Sequence, residues 1–332
     1  MWCPSRFDKS SPRVLLQTIT TSLVFGLSIV VAPGPAVAAQ KDVATTESFP
    51  SVESKHLEVD AADLDVRLRT ADVDVIEADL LLHIGGTGEE KAQRWIENHT
   101  PEFTDSEDRL QITVVPAKSG FLWFGSLSAR ARLSLLAPDE IVPDITTTSG
   151  GIQIRGDYPN ARPLHLRTST GDVEMEGAAA SIDFRSAAGD AQIKVIRPLE
   201  TLIARTSSGD VNLVGGARTA RVDTASGRIS LQNLSGDAEI STSTAKIILS
   251  WDRLEPGATV RVRSSSGSVQ LIVPAGVSPK GTITTTTGSV RSEFPGEVVE
   301  GGMTLRLSGD GPIFDVETAS GEIQLTIGEM WQ

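Results

Sequence analysis

Cysteine is nearly absent from this chain: of 332 residues only Cys3 is one, and it lies at the very start. No disulfide framework can therefore support the fold. Histidine is almost as scarce. His56, His83, His99 and His165 share no metal-ligand spacing, which leaves no zinc pattern to argue from. Aromatic residues make up only 5 % of the chain. Long helical runs are missing, and so are G-x-S-x-G, H-E-x-x-H and the P-loop, so the usual signatures of serine hydrolases, zinc proteases and nucleotide triphosphatases are not there. Nothing calls for a cofactor. Basic residues are outnumbered, 30 against 43 acidic, giving a net charge of −13. Such a surface disfavours nucleic acid and anionic lipid as partners.

The chain does begin with a basic, then apolar, segment. Arg6, Lys9 and Arg13 precede the apolar run Val14–Val31, Pro33-Gly34-Pro35 breaks it, and Ala36-Val37-Ala38 forms an A-x-A cleavage site. Residues 1–39 read as a secretory signal peptide. The competing possibility is an uncleaved anchor, since the run is close to the lower limit for a membrane span. Removing residues 1–39 takes away three basic side chains and Asp8, so the net charge moves from −13 to −15. The expected location is outside the cytoplasm: periplasmic, outer-surface or extracellular.

From residue 145 onward one phrase recurs about every 20 residues. It is a Ser/Thr-rich triplet followed by glycine, ending at Gly150, Gly171, Gly209, Gly227, Gly267, Gly288 and Gly321, with worn copies ending at Gly189 and Ala245. Five residues before that position stand Ile145, Leu166, Phe184, Ala204, Val222, Ile240, Val262, Ile283 and Val316. Two residues after it stand Ile152, Val173, Ala191, Val211, Ile229, Ile247, Val269, Val290 and Ile323. Polar residues such as Gln153, Gln192, Asn212, Gln270 and Gln324 fall between apolar ones. Alternation with period two is a strand with one buried face, and it does not match helical spacing. Each copy is strand, sharp corner, strand. Glycine at the corner is expected to supply positive φ. One copy cannot bury its stripe; stacked copies bury it together. The expected fold is all-β: a parallel single-stranded β-helix, or β-solenoid, over residues 141–332, with coils of about 20 residues.

The remaining segments are read around that core. Residues 40–54 are polar and are expected to be a flexible lead-in. Residues 55–140 alternate like strands and are expected to form an N-terminal cap, with Val66 to Val75 resembling a degenerate coil. Within it, Thr87-Gly88-Glu89-Glu90 matches a capping box and opens a short helix over 88–99, with Ala92, Trp95, Ile96 and His99 on one face. The long gap between Gly288 and Gly321 is expected to hold a partial coil around Ser308-Gly309-Asp310.

Three places could carry chemistry. Asp172, Asp190 and Asp210 each follow a corner glycine in consecutive coils, and stacking would set their carboxylates about 5 Å apart. They are the candidate cation ligands. Arg167, Arg185 and Arg205 are expected to face them across the corner, and the signs swap at Asp223 and Arg228. That swap favours a solvated charge ladder over a calcium site. The Ser/Thr columns could bind sugar, although such hydroxyls more often satisfy corner backbone groups. Finally, Phe121, Leu122, Trp123 and Phe124 sit between Gly/Ser hinges in a chain poor in aromatics. They are either a membrane or protein contact or a plug over one end of the solenoid, as Met330 and Trp331 could be at the other.

The repeats of the form T-x-[ST]-G-[DS]-[VI]-x-[VL], with their leader and alternating N-terminal segment, resemble a bacterial putative-adhesin β-strand repeat family, a domain family of unknown function. The resemblance spans roughly residues 55–330 and implies a single-stranded β-helix in a secreted or cell-envelope protein. It supplies no catalytic or binding residues. The function expected is non-enzymatic: an adhesin-like scaffold or binding module for a protein or glycan of the cell envelope. Two alternatives stand beside it. One is an envelope-stress or regulatory accessory protein that docks a membrane partner through Phe121–Phe124. The other is a polysaccharide-active β-helix enzyme.

Overall fold

The computed structural model describes residues 39–332 except 53–54, 115–127, 159–161, 300, 302 and 329–332. Phe121–Phe124, Met330, Trp331 and residues 1–38 therefore lie outside the described residues. The N-terminal part contains β1 (Ala39–Pro50), β2 (His56–Asp60), β3 (Asp65–Thr70), β4 (Val75–Thr87), α1 (Glu89–His99), β5 (Glu102–Asp105), β6 (Arg109–Thr113) and β7 (Ser128–Ala137). The repeats then supply strands in pairs, one on each side of a corner. They are β8 (Val142–Thr146) and β9 (Ile152–Tyr158), β10 (Leu164–Arg167) and β11 (Val173–Ala179), then β12 (Ser181–Arg185) and β13 (Ala191–Val195). Next come β14 (Leu199–Ser208) and β15 (Val211–Val214), β16 (Ala217–Ser226) and β17 (Ile229–Leu234), and β18 (Asp237–Thr244) and β19 (Ile247–Trp251). The chain ends with β20 (Thr259–Ser266), β21 (Val269–Pro274), β22 (Lys280–Ser292), β23 (Gly296–Val299), β24 (Thr304–Ser308) and β25 (Ile313–Gly328).

Each copy lays its first strand on one parallel ladder and its second on another. In the first ladder Leu166 pairs with Ile145 and with Phe184, and Phe184 with Ala204, which is the register the apolar columns demanded. In the second, Val173 pairs with Ile152 and Ala191, and Val211 with Ala191 and Ile229. Every residue of the two predicted columns is at most 1 % exposed except Val290, which is partly buried. The sheet is nevertheless mixed, not the purely parallel single-stranded helix expected from the repeats. β1 runs antiparallel to β4, β4 to β7, β5 to β6, and β22 and β23 to β24. These pairings cluster at the two ends, where a coil has no further copy to stack on and the chain folds back to cover it.

Stacking order also departs from sequence order at both ends. β2 lies between β8 and β6, and β3 between β9 and β7, so the first coil is covered by later segments. β25 lies between β20–β21 and β22, so the last strand is not the outermost. The interval between Gly288 and Gly321 thus holds an antiparallel hairpin of β23 and β24, not a partial coil. Likewise residues 40–54 are not a flexible lead-in: β1 pairs along β4 from Ala39 to Pro50, because the exposed edge of β4 offers free backbone groups. Inside the 55–140 segment, the degenerate coil turns at Ala61–Leu64, where Ala62 has φ +46°, and so precedes the stretch Val66–Val75. α1 forms where expected. Its N-cap is Gly88 with no side-chain cap, so Thr87 stays in β4 and the capping box is not made. Glu89 and Glu90 still favour the start electrostatically, and Ala92, Trp95 and Ile96 are buried.

The corner glycines serve close approach more than positive φ. A Cβ on Gly171 would stand 2.0 Å from the Gly150 carbonyl oxygen, and one on Gly189 would stand 1.9 Å from that of Gly171. Positive φ occurs in this column only at Gly227, Gly267 and Gly321. It also occurs at a second corner six residues later, at Gly156, Gly177, Gly215 and Asn233. Gly171→Val is expected to cost about 1–3 kcal/mol through overpacking against a backbone that cannot yield. Gly257→Ala, with nothing within 4 Å of the new Cβ, should be close to neutral. Equal melting temperatures for the two variants would refute the stacking argument.

Candidate functional site

The aspartate column is a staple between coils. Asp172 Oδ1 accepts the Asp190 N–H at 3.0 Å, Asp190 Oδ1 the Asp210 N–H at 2.7 Å, and Asp210 Oδ1 the Arg228 N–H at 2.7 Å. Asp65 Oδ1 does the same for the Gly151 N–H at 3.0 Å. One oxygen of each carboxylate is thus used within the sheet. Among the described residues no group of three or more His, Cys, Asp or Glu side chains converges as a metal site would. The arginines expected opposite this column turn elsewhere: Arg167 to Asp144 at 2.5 Å, Arg185 to Asp183 at 3.0 Å and Arg205 to Asp223 at 3.7 Å. The physical reason is geometric. Arg167 and Asp172 stand on opposite sides of the corner, whereas Asp144 faces the same way as Arg167 on the neighbouring strand.

Much of the hydroxyl column resolves in the same way, although the buried Thr206 and Thr242 hydroxyls have no hydrogen-bond partner among the described residues. Thr147 donates to the Gly150 carbonyl at 2.7 Å, and Thr168 accepts the Gly171 N–H at 2.9 Å. Further along, Thr224, Ser264 and Thr318 donate to the carbonyls of Ser226, Ser266 and Ser320. These side chains tie the corner to itself. The histidines remain dispersed: His83 sits 2.6 Å from Asp42, His99 stacks on Trp95, and His165 lies 3.8 Å from Asp183. Hydrogen bonding to His83 holds the Asp42 carboxyl below the usual carboxylate range.

The two outer faces differ in how their charges are met. On the first ladder almost every arginine has an acid: Arg221 pairs with Glu239, Arg261 with Asp315 at 3.5 Å, and Arg263 with Asp315 at 2.5 Å and Glu317 at 3.5 Å. The Arg263 hydrogen bond holds the Asp315 carboxyl below its ordinary range against partial desolvation. On the second ladder a single outward row runs Arg67, Gln153, Glu174, Gln192, Asn212, Ser230, Ile248, Gln270 and Gln324 through successive pairings. Gln153 donates to Glu174 at 2.9 Å. Gln192, Asn212, Ser230, Gln270 and Gln324 form no side-chain hydrogen bond among the described residues.

That row ends at a cleft of about 300 Å³. Its walls are Arg67, Arg69, Arg155, Asp79, Gln153 and Ser134, with Leu136 beside them. Sequence reasoning does not single out these arginines. The outward pair in Val66-Arg67-Leu68-Arg69 is visible as alternation, but not its stacking against Arg155.

Comparison with known families decides which one this geometry belongs to: the Toastrack DUF4097 family matches over residues 54–326. The chain belongs to that family. No curated protein matches it. Among solved structures, this Toastrack chain is similar to a putative adhesin from Parabacteroides merdae at 10 % identity, TM-score 0.47, covering 85 % of this chain and 96 % of that one. It is similar to a putative adhesin from Parabacteroides distasonis at 9 % identity, TM-score 0.43, covering 85 % and 97 %. A putative adhesin from Bacteroides fragilis has 12 % identity, TM-score 0.33, covering 85 % and 96 %. No helix of this Toastrack chain, among the described residues, is long and apolar enough to cross a membrane.

Proposed function

We propose that this protein is a non-enzymatic, exported binding module that meets an external partner along the second ladder. The observation that carries the proposal is the contrast between faces. The first ladder meets its arginines with acids, whereas the second, beside a few ion pairs, presents a row of amides and hydroxyls that have no side-chain partner among the described residues. Polar groups held in a fixed row on a rigid sheet, already free of internal bonds, are suited to hydrogen-bonding an extended ligand. Export rests on the leader at residues 1–39.

The test is a set of surface variants measured for co-sedimentation with isolated bacterial cell-wall polysaccharide. Gln192→Arg and Gln270→Arg on the second ladder should lose most of the bound fraction. Ser241→Arg, on the outer side of the first ladder, should keep it. Equal loss in all three, or release of new reducing ends from the polysaccharide, would overturn the proposal.

A further inference from the structure

From the cleft at the N-terminal end of the amide row we infer that Arg67, Arg69 and Arg155 bind a carboxylate-bearing saccharide, a uronate unit of an acidic glycan. The inference rests on the second ladder being the binding face. It begins with an electrostatic anomaly. Arg69 stands directly across from Arg155 in the parallel pairing of β3 with β9, and Arg67 occupies the same face two residues earlier. Like charges opposite one another on a sheet destabilise it. On the first ladder the stacked Arg167, Arg185 and Arg205 are each answered by an acid. Here Arg155 has Glu176 at 3.7 Å, but among the described residues Arg67 and Arg69 have no ion pair and no side-chain hydrogen bond. In a chain of net charge −13, two unanswered guanidinium groups lining one cavity call for an anion from outside.

The other walls specify what accompanies the anion. Asp79 accepts the Thr46 hydroxyl at 2.6 Å, and its carboxylate can only accept hydrogen bonds. It repels any anion placed against it and welcomes hydroxyl donors, so the anionic group belongs on the arginine side of the cleft. Ser134 and Gln153 add neutral donors and acceptors, and half-buried Leu136 gives an apolar patch for ring C–H groups. Glu77 lies opposite Leu136 on β4 and adds a second acceptor nearby. A guanidinium fork takes a carboxylate through two parallel hydrogen bonds. A sugar acid supplies all three chemistries at once: a carboxylate for Arg67 and Arg69, hydroxyls for Asp79, and a ring face for Leu136. The amide row then continues away from the cleft in steps of about 4.8 Å, roughly one pyranose unit per coil.

The experiment is calorimetric titration of the full mature chain with oligogalacturonate, with the corresponding neutral galactose oligomer and with inorganic phosphate. Oligogalacturonate should bind at least about tenfold more tightly than the neutral oligomer, as expected for one charge-assisted hydrogen-bonded pair. Arg67→Gln and Arg69→Gln should each remove that advantage without lowering the melting temperature, while Arg67→Lys keeps part of it. Equal binding of the neutral oligomer, insensitivity to both Gln variants, or phosphate binding as tightly as oligogalacturonate would overturn the inference. If the neutral oligomer binds equally and Gln192→Arg still abolishes it, the anion site fails while the binding face stands. If Gln192→Arg has no effect on any ligand, the binding face fails as well.

Discussion

Val211→Asp is expected to destabilise the protein by about 4 kcal/mol or more, combining the lost burial of one apolar side chain with the cost of burying a polar one. Val211 is fully buried in β15, between Ala191 and Ile229 on adjacent coils. No cation or donor lies in that column to receive a carboxylate, since its members are Ile152, Val173, Ala191, Ile229, Ile247 and Val269. Burial would raise the new group's pKa, so its penalty should shrink as the pH falls and the carboxyl becomes neutral. In a stack where each coil touches only its neighbours, the break should also divide one melting transition into two. Thermal unfolding at neutral and acidic pH checks both expectations. A wild-type melting curve at pH 7 would show that residue 211 does not point into the stack and that the register of the second ladder is wrong.

Asp105→Ala should cost about 3–5 kcal/mol, the usual result of stranding a buried charge. Lys55 is only 2 % exposed, and its Nζ lies 2.6 Å from Asp105 Oδ1 and 2.7 Å from the Pro50 carbonyl. The ammonium thereby joins the end of β1, the start of the first coil and β5. Among the described residues, losing Asp105 leaves it with one carbonyl. Lys55→Met should cost less, because Asp105 is partly exposed and can turn to water. The double variant should recover much of the loss, since no unpaired ion is then buried. Chemical denaturation of the four proteins as a double-mutant cycle measures the coupling. If Asp105→Ala matched the wild type, the pair would be dispensable and the end covering would rest on packing contacts such as Phe49 against Phe103.

The behaviour of the aspartate column shows why a repeat is easier to read than a site. Asp172, Asp190 and Asp210 recur at one offset from the corner, and the recurrence says that they stack. It does not say which way each side chain turns. Once backbone positions are fixed, the nearest unsatisfied donor is the next coil's N–H, and the carboxylate takes it. The arginine column is misplaced by sequence reasoning for a similar cause. Sequence distance across a corner resembles proximity, but a corner sends its two flanks onto different ladders.

Amino-acid order alone is enough for the repeat, the alternation, the two buried columns and their register. A period of two with one apolar face admits a single register once copies stack. The same order places α1 and the corner at each glycine. The order of stacking at the ends, by contrast, is settled in three dimensions. Gly321 rests on Gly267, and Gly288 rests on Gly321, although Gly288 comes earlier in the chain. Identical columns fit equally well in either order, so periodicity carries no information about which copy lies outermost. Edge protection decides it, since an outer coil must be followed by a segment that can fold back upon it. The same interleaving brings Arg67 and Arg69 against Arg155, far apart in the chain, and so the cleft exists only because β3 packs directly on β9.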